Sequence, residues 1–483
     1  MPALRPPLHL APQVGAGLGA GALLLGALQA CARRHPADWR GPGMRQGLVL
    51  WWVRRDQRLH DNPALRAACA EARQRGLPLL CLAPLPPDGP TRWGFARLGP
   101  HRRWVEWQSL QALDGQLRRH GQRLGWTTLT PAQALGELAA RHRVVAVHAQ
   151  QGLAPEEKAE EAALVAQGLP LHRHESGGLF EAAALPFARA PDTGLPALPC
   201  SFTPFRQALE RSQRQPGSPL PEPQSWPPSP AGELPLPALQ PPCPPVDPRS
   251  SHPYTTPPCA PGEAAALQHL EAYLASPAVP VYKKTRDALS DPQASTRWSP
   301  WLATGALSPR RAWAALDAHE AAQGRSEGSD WIRVELLWRE YFRWLMAVEG
   351  ARLYHPTGLK PGAAAPGHDA AAFERWCQGR TGLPLVDAGM RELAATGWLS
   401  NRLRQVCASA LLHELGGDWR AGAAWYEAQL LDFDPQSNQG NWAYIAGYGT
   451  DPRGGRHFDL DWQARQHDPQ GTYRARWNEG HQP

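Results

Sequence analysis

Of the eight cysteines in this 483-residue chain, none falls in a C-x-x-C pair or at a spacing that would suit zinc or an iron–sulfur cluster. No metal site is expected, and the thiols read as reduced and intracellular rather than as staples. Also missing is an apolar run of membrane-spanning length. The Gly/Ala/Leu stretch from Val14 to Leu28 holds fifteen residues, short of the ~20 that a bilayer-crossing helix needs. Lysine is scarce, with four (158, 283, 284 and 360) among 50 basic residues. The net charge of +6 and pI near 9 therefore rest on arginine. That surplus suits a polyanionic partner and equally suits a GC-rich coding bias that also enriches Ala, Gly and Pro.

What the chain has in excess is proline, 52 residues, and tryptophan, 21 against 9 Tyr and 9 Phe. So much Trp within helical periodicities excludes disorder of the whole chain, and the length implies two or three compact units. Residues 1–46 have no acidic residue before Asp38. They read as a targeting peptide, a disordered extension, or a segment ahead of a true start at Met44.

From residue 47 to about 180, short apolar runs alternate with helical patterns. Strands are expected at Leu48–Val53, Pro78–Leu82, Trp126–Leu129, Val144–His148 and Leu169–His172. Helices open at Asn62-Pro63, near His101, at Pro131 and at Pro155. This alternation predicts a doubly wound parallel sheet, without a G-x-G-x-x-G turn after the first strand. Residues 181–262 are dense in proline and predict an extended linker without helix or central strand. Residues 263–483 read as all-α, with helices at 263–275, 309–323, 330–349, 370–378, 386–396, 400–416, 420–432 and 437–446.

Glu335, Trp338, Arg339 and Phe342 stand at i, i+3, i+4 and i+7, one face of a helix. Spacing alone fits a core face with a snorkelling Arg. Asp432, Asp434, Gln436 and Asn438 imitate half a calcium loop, but Ser437 stands where Gly is needed and Ala443 where Glu is needed.

Six ordered segments narrow these readings: LWWVRRDQRLHDNPAL (50–65), WSPWLATGALSP (298–309), ELLWREYF (335–342), TGLPLVDAGMR (381–391), GWLSNR (397–402) and DFDPQSNQGNW (432–442). Together they resemble the photolyase/cryptochrome family from residue 48 to about 477. The ending NWAYIAG (441–447), with Tyr444, looks most like DASH-type cryptochromes.

The resemblance implies an N-terminal antenna-type α/β domain and a C-terminal helical domain binding FAD. Its flavin contacts would be Tyr282, Ser295, Thr296, Arg297, Trp298, Ser299, Arg339, Trp398, Asn401, Arg404, Asp432, Phe433, Asp434 and Asn438. Asp432 would pair with Arg404, and Asn438 would face flavin N5, where an amide can accept from or donate to the ring in several redox states. Arg286, Glu335, Trp338, Asn401, Arg402 and Tyr444 would meet DNA, with Glu335 bonding the damaged bases and Trp338 stacking on them. Stacking is worth about 1–3 kcal/mol per base, against the few kcal/mol that extruding a lesion costs.

The activity implied is blue-light-driven repair of cyclobutane pyrimidine dimers by a cytoplasmic monomer, on single-stranded or damaged DNA and with no membrane partner. A blue-light receptor without significant repair is the alternative, and a flavin-free binding protein a third. Two departures stand out. Trp442 and Trp419 match the inner electron-relay positions, whereas Pro366 stands where an outer Trp is expected, leaving Trp376 and Trp425 as unranked substitutes. Gln108 stands where a folate-binding Glu is expected, with Glu106 expected to face elsewhere, if 5,10-methenyltetrahydrofolate is the second chromophore.

Overall fold

Six consecutive buried residues, Gly47–Trp52, form β1, as a strand covered by helices on both faces should. The computed structural model describes residues 47–85, 89–231, 241–245, 247–257 and 259–478, so the expectation for residues 1–46 lies outside it. After β1 the chain turns into α1 (Pro63–Arg75). Asn62 caps it by accepting from the Leu65 N–H, Pro63 sits where no N–H is needed, and Gly76 ends it at φ 64°. There follow β2 (Leu79–Pro84), α2 (Pro100–Arg118), β3 (Leu124–Thr127), α3 (Pro131–Arg141), β4 (Arg143–Gln150), α4 (Pro155–Ala166) and β5 (Leu171–His174). All pairings are parallel in the order β3-β2-β1-β4-β5, with the order reversing between β1 and β4. The expected doubly wound sheet is what the chain forms.

Two strands lie two residues from their expected places. Leu129 and Leu169 drew the expected ranges towards them, but both pack in the hydrophobic cluster on one face of the sheet without belonging to a strand. Burial, not pairing, accounts for their apolar character.

The proline-rich segment contains a helix, α5 (Phe202–Ser212), which corrects the expectation of a wholly extended linker. Pro204 occupies its first turn, where a missing N–H costs nothing, and no proline follows until Pro216. Phe202, Phe205 and Leu209 then bury one face against the helical part.

Beyond it come α6 (Glu263–Leu274), α7 (Ala278–Thr285), α8 (Ser299–Thr304), α9 (Pro309–Gln323), α10 (Glu327–Glu349), α11 (Ala370–Cys377), α12 (Pro384–Thr396), α13 (Asn401–His413), α14 (Trp419–Gln429), α15 (Pro435–Ile445), α16 (Leu460–His467) and α17 (Thr472–Asn478). The short helices α7, α8, α16 and α17 are additions to the expected set. Among the described residues no helix is long and apolar enough to cross a membrane.

The described residues, all between 47 and 478, pack as one compact unit. Where the sheet meets the helices, Arg55 donates to the carbonyls of Ala303 (3.2 Å) and Phe433 (2.9 Å). Gly305, at φ 74°, ends α8 so close to this strand exit that a Cβ would lie 1.9 Å from the Arg55 carbonyl oxygen. Both the left-handed backbone and the contact exclude a side chain there. Gly305→Ala is therefore expected to lower the urea midpoint sharply, whereas Gly76→Ala, with open space around its Cβ, should cost only the left-handed backbone strain; equal midpoint shifts would contradict this.

Candidate functional site

The middle of α10 carries Glu335, Trp338 and Arg339 into a cavity of about 530 Å³. The opposite wall comes from the turn ahead of α8, the start of α13 and the end of α15. Of the residues singled out from sequence, Tyr282, Arg286, Ser295, Thr296, Arg297, Trp298, Ser299, Glu335, Trp338, Arg339, Trp398, Asn401, Arg402, Arg404, Asp432 and Tyr444 all line this cavity. Phe433, Asp434, Asn438 and Trp442 line a smaller chamber of about 90 Å³, which shares Asn401, Arg404 and Asp432 with the larger one. Trp419 and Gln108 line neither.

Charge is arranged in fixed pairs. Asp432 meets Arg404 at 2.9 Å, and its second oxygen, Oδ1, is buried without a protein partner. Opposite charges about 4 Å apart at an effective dielectric near 20 attract by roughly 4 kcal/mol before desolvation is subtracted. Asp434 caps α15 by accepting from the Ser437 N–H (2.8 Å) and meets Arg339 at 3.3 Å. Asn438 donates from Nδ2 to the Ala423 carbonyl (3.0 Å), which engages one of its two amide hydrogens and leaves its carbonyl oxygen on the other side of the amide.

At the rim, Glu335 accepts from Arg286 (2.7 Å) and from Trp331 Nε1 (3.0 Å), and Arg402 pairs with Asp287 (2.7 Å). Burial pushes the Glu335 carboxyl up, with Arg286 pulling against it. The guanidinium expected to hold a phosphate is thus paired with the carboxylate expected to meet bases.

The turn ahead of α8 is unusual. Arg297 is a non-glycine residue at φ 53°, and its guanidinium donates to the Ser251 carbonyl. The helix that follows has six residues and no side-chain cap, so its dipole contributes less than a long helix would.

Sequence reasoning missed the residues that back this site from the proline-rich segment. Phe202 stacks on Trp338 (ring centroids 3.8 Å, planes 13° apart), covering one face of the indole. Tyr444 meets the same indole at 5.7 Å with its plane turned by 81°, and takes a hydrogen bond from Arg456. His252 stacks on Trp398 (4.6 Å, 19°), and Trp331 joins Glu335 and Arg286. Only the Phe202, Phe205, Leu209 spacing carried a signal.

Residues 49–224 match the family model described as DNA photolyase, and residues 331–479 match the FAD binding domain of DNA photolyase. A cryptochrome DASH of Idiomarina loihiensis is 38% identical over 438 residues, spanning 89% of this chain and 92% of that protein. A cryptochrome DASH of Xenopus laevis is 35% identical over 436 residues, 89% of this chain and 82% of that one. The crystal structure of a Synechocystis cryptochrome superposes with a TM-score of 0.82 at 35% identity, covering 90% of this chain and 89% of that one. A bacterial class III photolyase from Agrobacterium tumefaciens follows at 0.72 and 28%, covering 91% and 88%. The chain belongs to the photolyase/cryptochrome family.

Within that family it is most similar to DASH cryptochromes, and its helical part is the FAD-binding domain. A second cavity of about 450 Å³ opens at the carboxyl ends of β1 and β2, where doubly wound sheets take ligands, and α2 presents Arg102, Glu106 and Leu110 to it. Gln108, expected as the antenna residue, does not line this cavity. It follows Glu106 by two residues, which on a helix is the opposite side, whereas 102, 106 and 110 share one face. Phe433 lies between the second cavity and the small chamber, with the Arg102 and Arg55 guanidinium groups over its ring.

Behind the Arg297 turn, burial pushes Glu392 up to about 8, with its hydrogen bond from Tyr473 and the charge of Arg297 opposing that shift. An unfolded Glu titrates near about 4.3. Between those values the folded chain holds a proton that the unfolded chain has released, so stability falls as pH rises through that window. Denaturant midpoints measured from pH 5 to 9 should drop less steeply for Glu392→Gln than for the unchanged protein; parallel curves would show that Glu392 is ionised throughout.

Proposed function

We propose that this protein is a light-driven lyase that uses reduced FAD to split cyclobutane pyrimidine dimers, preferentially in single-stranded DNA, as a cytoplasmic monomer. In this reading residues 47–180 are the antenna-type domain, 181–262 the connection and 263–483 the FAD-binding domain. The observation that carries it is that the cavity lined by Glu335 and Trp338 adjoins the chamber lined by Asn438, the two sharing Asn401, Arg404 and Asp432 as walls.

The lining suits a flavin. It has the unpartnered Asp432 Oδ1, the Arg404 and Arg339 guanidinium groups, and aromatic walls at Trp298 and Trp398. When bound, reduced FAD would supply the photoexcited electron that opens the dimer and is then returned. The chain's own residues place and shield. Asp432 would fix Arg404 beside the ring, and Tyr282, Ser295, Thr296, Arg297, Trp298, Ser299, Trp398, Asn401, Phe433 and Asp434 would hold the rest of the cofactor. Asn438, its Nδ2 engaged by Ala423, would offer its carbonyl oxygen to the N5–H of the reduced ring.

Trp338, backed by Phe202, would stack on the extruded bases. Glu335 would bond the bases once a phosphate draws Arg286 away from it. Asn401, Arg402 and Tyr444 would line the strand. The Arg286–Glu335–Trp331 network also favours the second reading, a blue-light receptor, because it satisfies the carboxylate without any lesion.

Reduced protein under blue light should clear dimers from irradiated oligo-dT. Bound flavin with dimers left intact would overturn repair in favour of the receptor, and protein without flavin absorbance would overturn both. Trp338→Ala should weaken binding of the damaged oligonucleotide at least several-fold while FAD absorbance stays; loss of FAD would mean that its role is misplaced.

The second cavity would hold 5,10-methenyltetrahydrofolate, with Glu106 in the role first given to Gln108. After reconstitution with the folate, Glu106→Ala should lose its absorbance and Gln108→Ala should retain it; the reverse pattern would restore Gln108. A rice relative bears the name cryptochrome DASH, chloroplastic/mitochondrial, so localisation of a tagged full chain is the check on the cytoplasmic assignment.

A further inference from the structure

Pro366 leaves the relay one tryptophan short, yet a different aromatic residue stands beside its last member. Trp442 packs on α14 at Gly422, where a Cβ would come within 2.2 Å of the indole Cη2. Trp419 is three residues earlier on that helix, hence on the same face. Its ring is fully buried, and its Nε1 donates to the Pro356 carbonyl (3.0 Å). Against it lies Tyr448, ring centroids 6.3 Å apart and planes within 29°. Tyr448 is half-buried, its hydroxyl donates to the Ala364 carbonyl (2.8 Å), and its own carbonyl accepts from the Leu359 N–H (2.7 Å). The phenol is thereby pinned to the loop that carries Pro366, two residues beyond Ala364.

We propose that Tyr448 is the terminal electron donor of this chain, completing the sequence Trp442, Trp419, Tyr448. The inference rests on the flavin reading above. One electron passes from Trp442 to the photoexcited flavin, one from Trp419 to Trp442 and one from Tyr448 to Trp419. The oxidised phenol loses its proton to water, so the products are a flavin reduced by one electron, a neutral tyrosyl radical and a solvated proton. An external thiol then restores the tyrosine by donating a hydrogen atom. Proton loss makes the transfer effectively one-way, which a buried aromatic cannot achieve.

The competing branch lacks that exit. Trp376 meets Trp442 edge-on at 6.2 Å but is wholly buried, and its next neighbours, both at 5.9 Å, are Phe373, which is hard to oxidise, and Tyr426. Tyr426, 5.0 Å from Trp442, is buried away from water that could take its proton; its hydroxyl donates a hydrogen bond to the Arg404 carbonyl (3.2 Å), beside a guanidinium that would oppose any further positive charge. Trp425 stacks edge-on against Phe95 (5.1 Å), another ring that is hard to oxidise.

The test is flash photolysis of the FAD-loaded full-length protein with electron paramagnetic resonance and flavin absorbance read together. Expected are a neutral tyrosyl signal that forms more slowly in D2O, its loss with slowed photoreduction in Tyr448→Phe, and a tryptophanyl signal with restored photoreduction in Tyr448→Trp. A purely tryptophanyl radical in the unchanged protein, or photoreduction lost in Trp376→Phe but not in Tyr448→Phe, would overturn the assignment. Absent flavin absorbance would overturn the flavin reading itself. Should Tyr448→Phe fail to fold, the radical's identity and its D2O effect in the unchanged protein decide the question.

Discussion

Asp61 ties three parts of the chain together at the junction of the sheet with the helices. Its carboxylate accepts from Arg310 and Ser308 at the start of α9 and from the Leu220 N–H of the proline-rich segment, while its own N–H donates to the Leu220 carbonyl. Its own loop leaves the sheet after β1. Arg58, 1% exposed, spans the same junction by donating to the carbonyls of Gly305 (2.8 Å) and Asp61 (2.7 Å). Charges this deeply buried are tolerable only when paired, and removing one partner of such a pair costs about 3–5 kcal/mol. The docking of sheet on helices is therefore held by a network that does not tolerate partial satisfaction.

That docking sets the chemistry on both sides of Phe433. Arg55, anchored on the Ala303 and Phe433 carbonyls, holds this ring between the cavity at the strand ends and the inner chamber of the FAD-binding domain. A second chromophore and a flavin would thus be separated by one side chain held by backbone hydrogen bonds rather than by a mobile loop. The proline-rich segment serves the same end. Phe202 backs Trp338, and Ser251 and His252 support Arg297 and Trp398, so a stretch that looks like a spacer supplies part of the wall.

The legible features share a physical origin in periodicity and local caps. The sheet could be read from short apolar runs because central parallel strands bury both faces, and α1 from Asn62, Pro63 and Gly76 because caps are local. The illegible ones depend on direction or on distant partners. The helix α5 was hidden because proline frequency was averaged over eighty residues while the helix needs only eleven without an interior proline. Glu106 and Gln108 are two positions apart on α2, and a helix turns by about 100° per residue, so which of them faces the second cavity is a matter of direction that spacing leaves open.

By itself the sequence determined the order of strands and helices, the family, and the identity of the residues around the candidate site, since these follow from local spacing and ordered motifs. Only the tertiary structure decided that Glu335 rests on Arg286 and Trp331, that Trp338 has one covered face, and that Trp419 meets Tyr448 where Pro366 interrupts the expected relay. Each of those contacts joins residues from different elements. No local propensity encodes such a contact, because it exists only once distant elements have packed against one another.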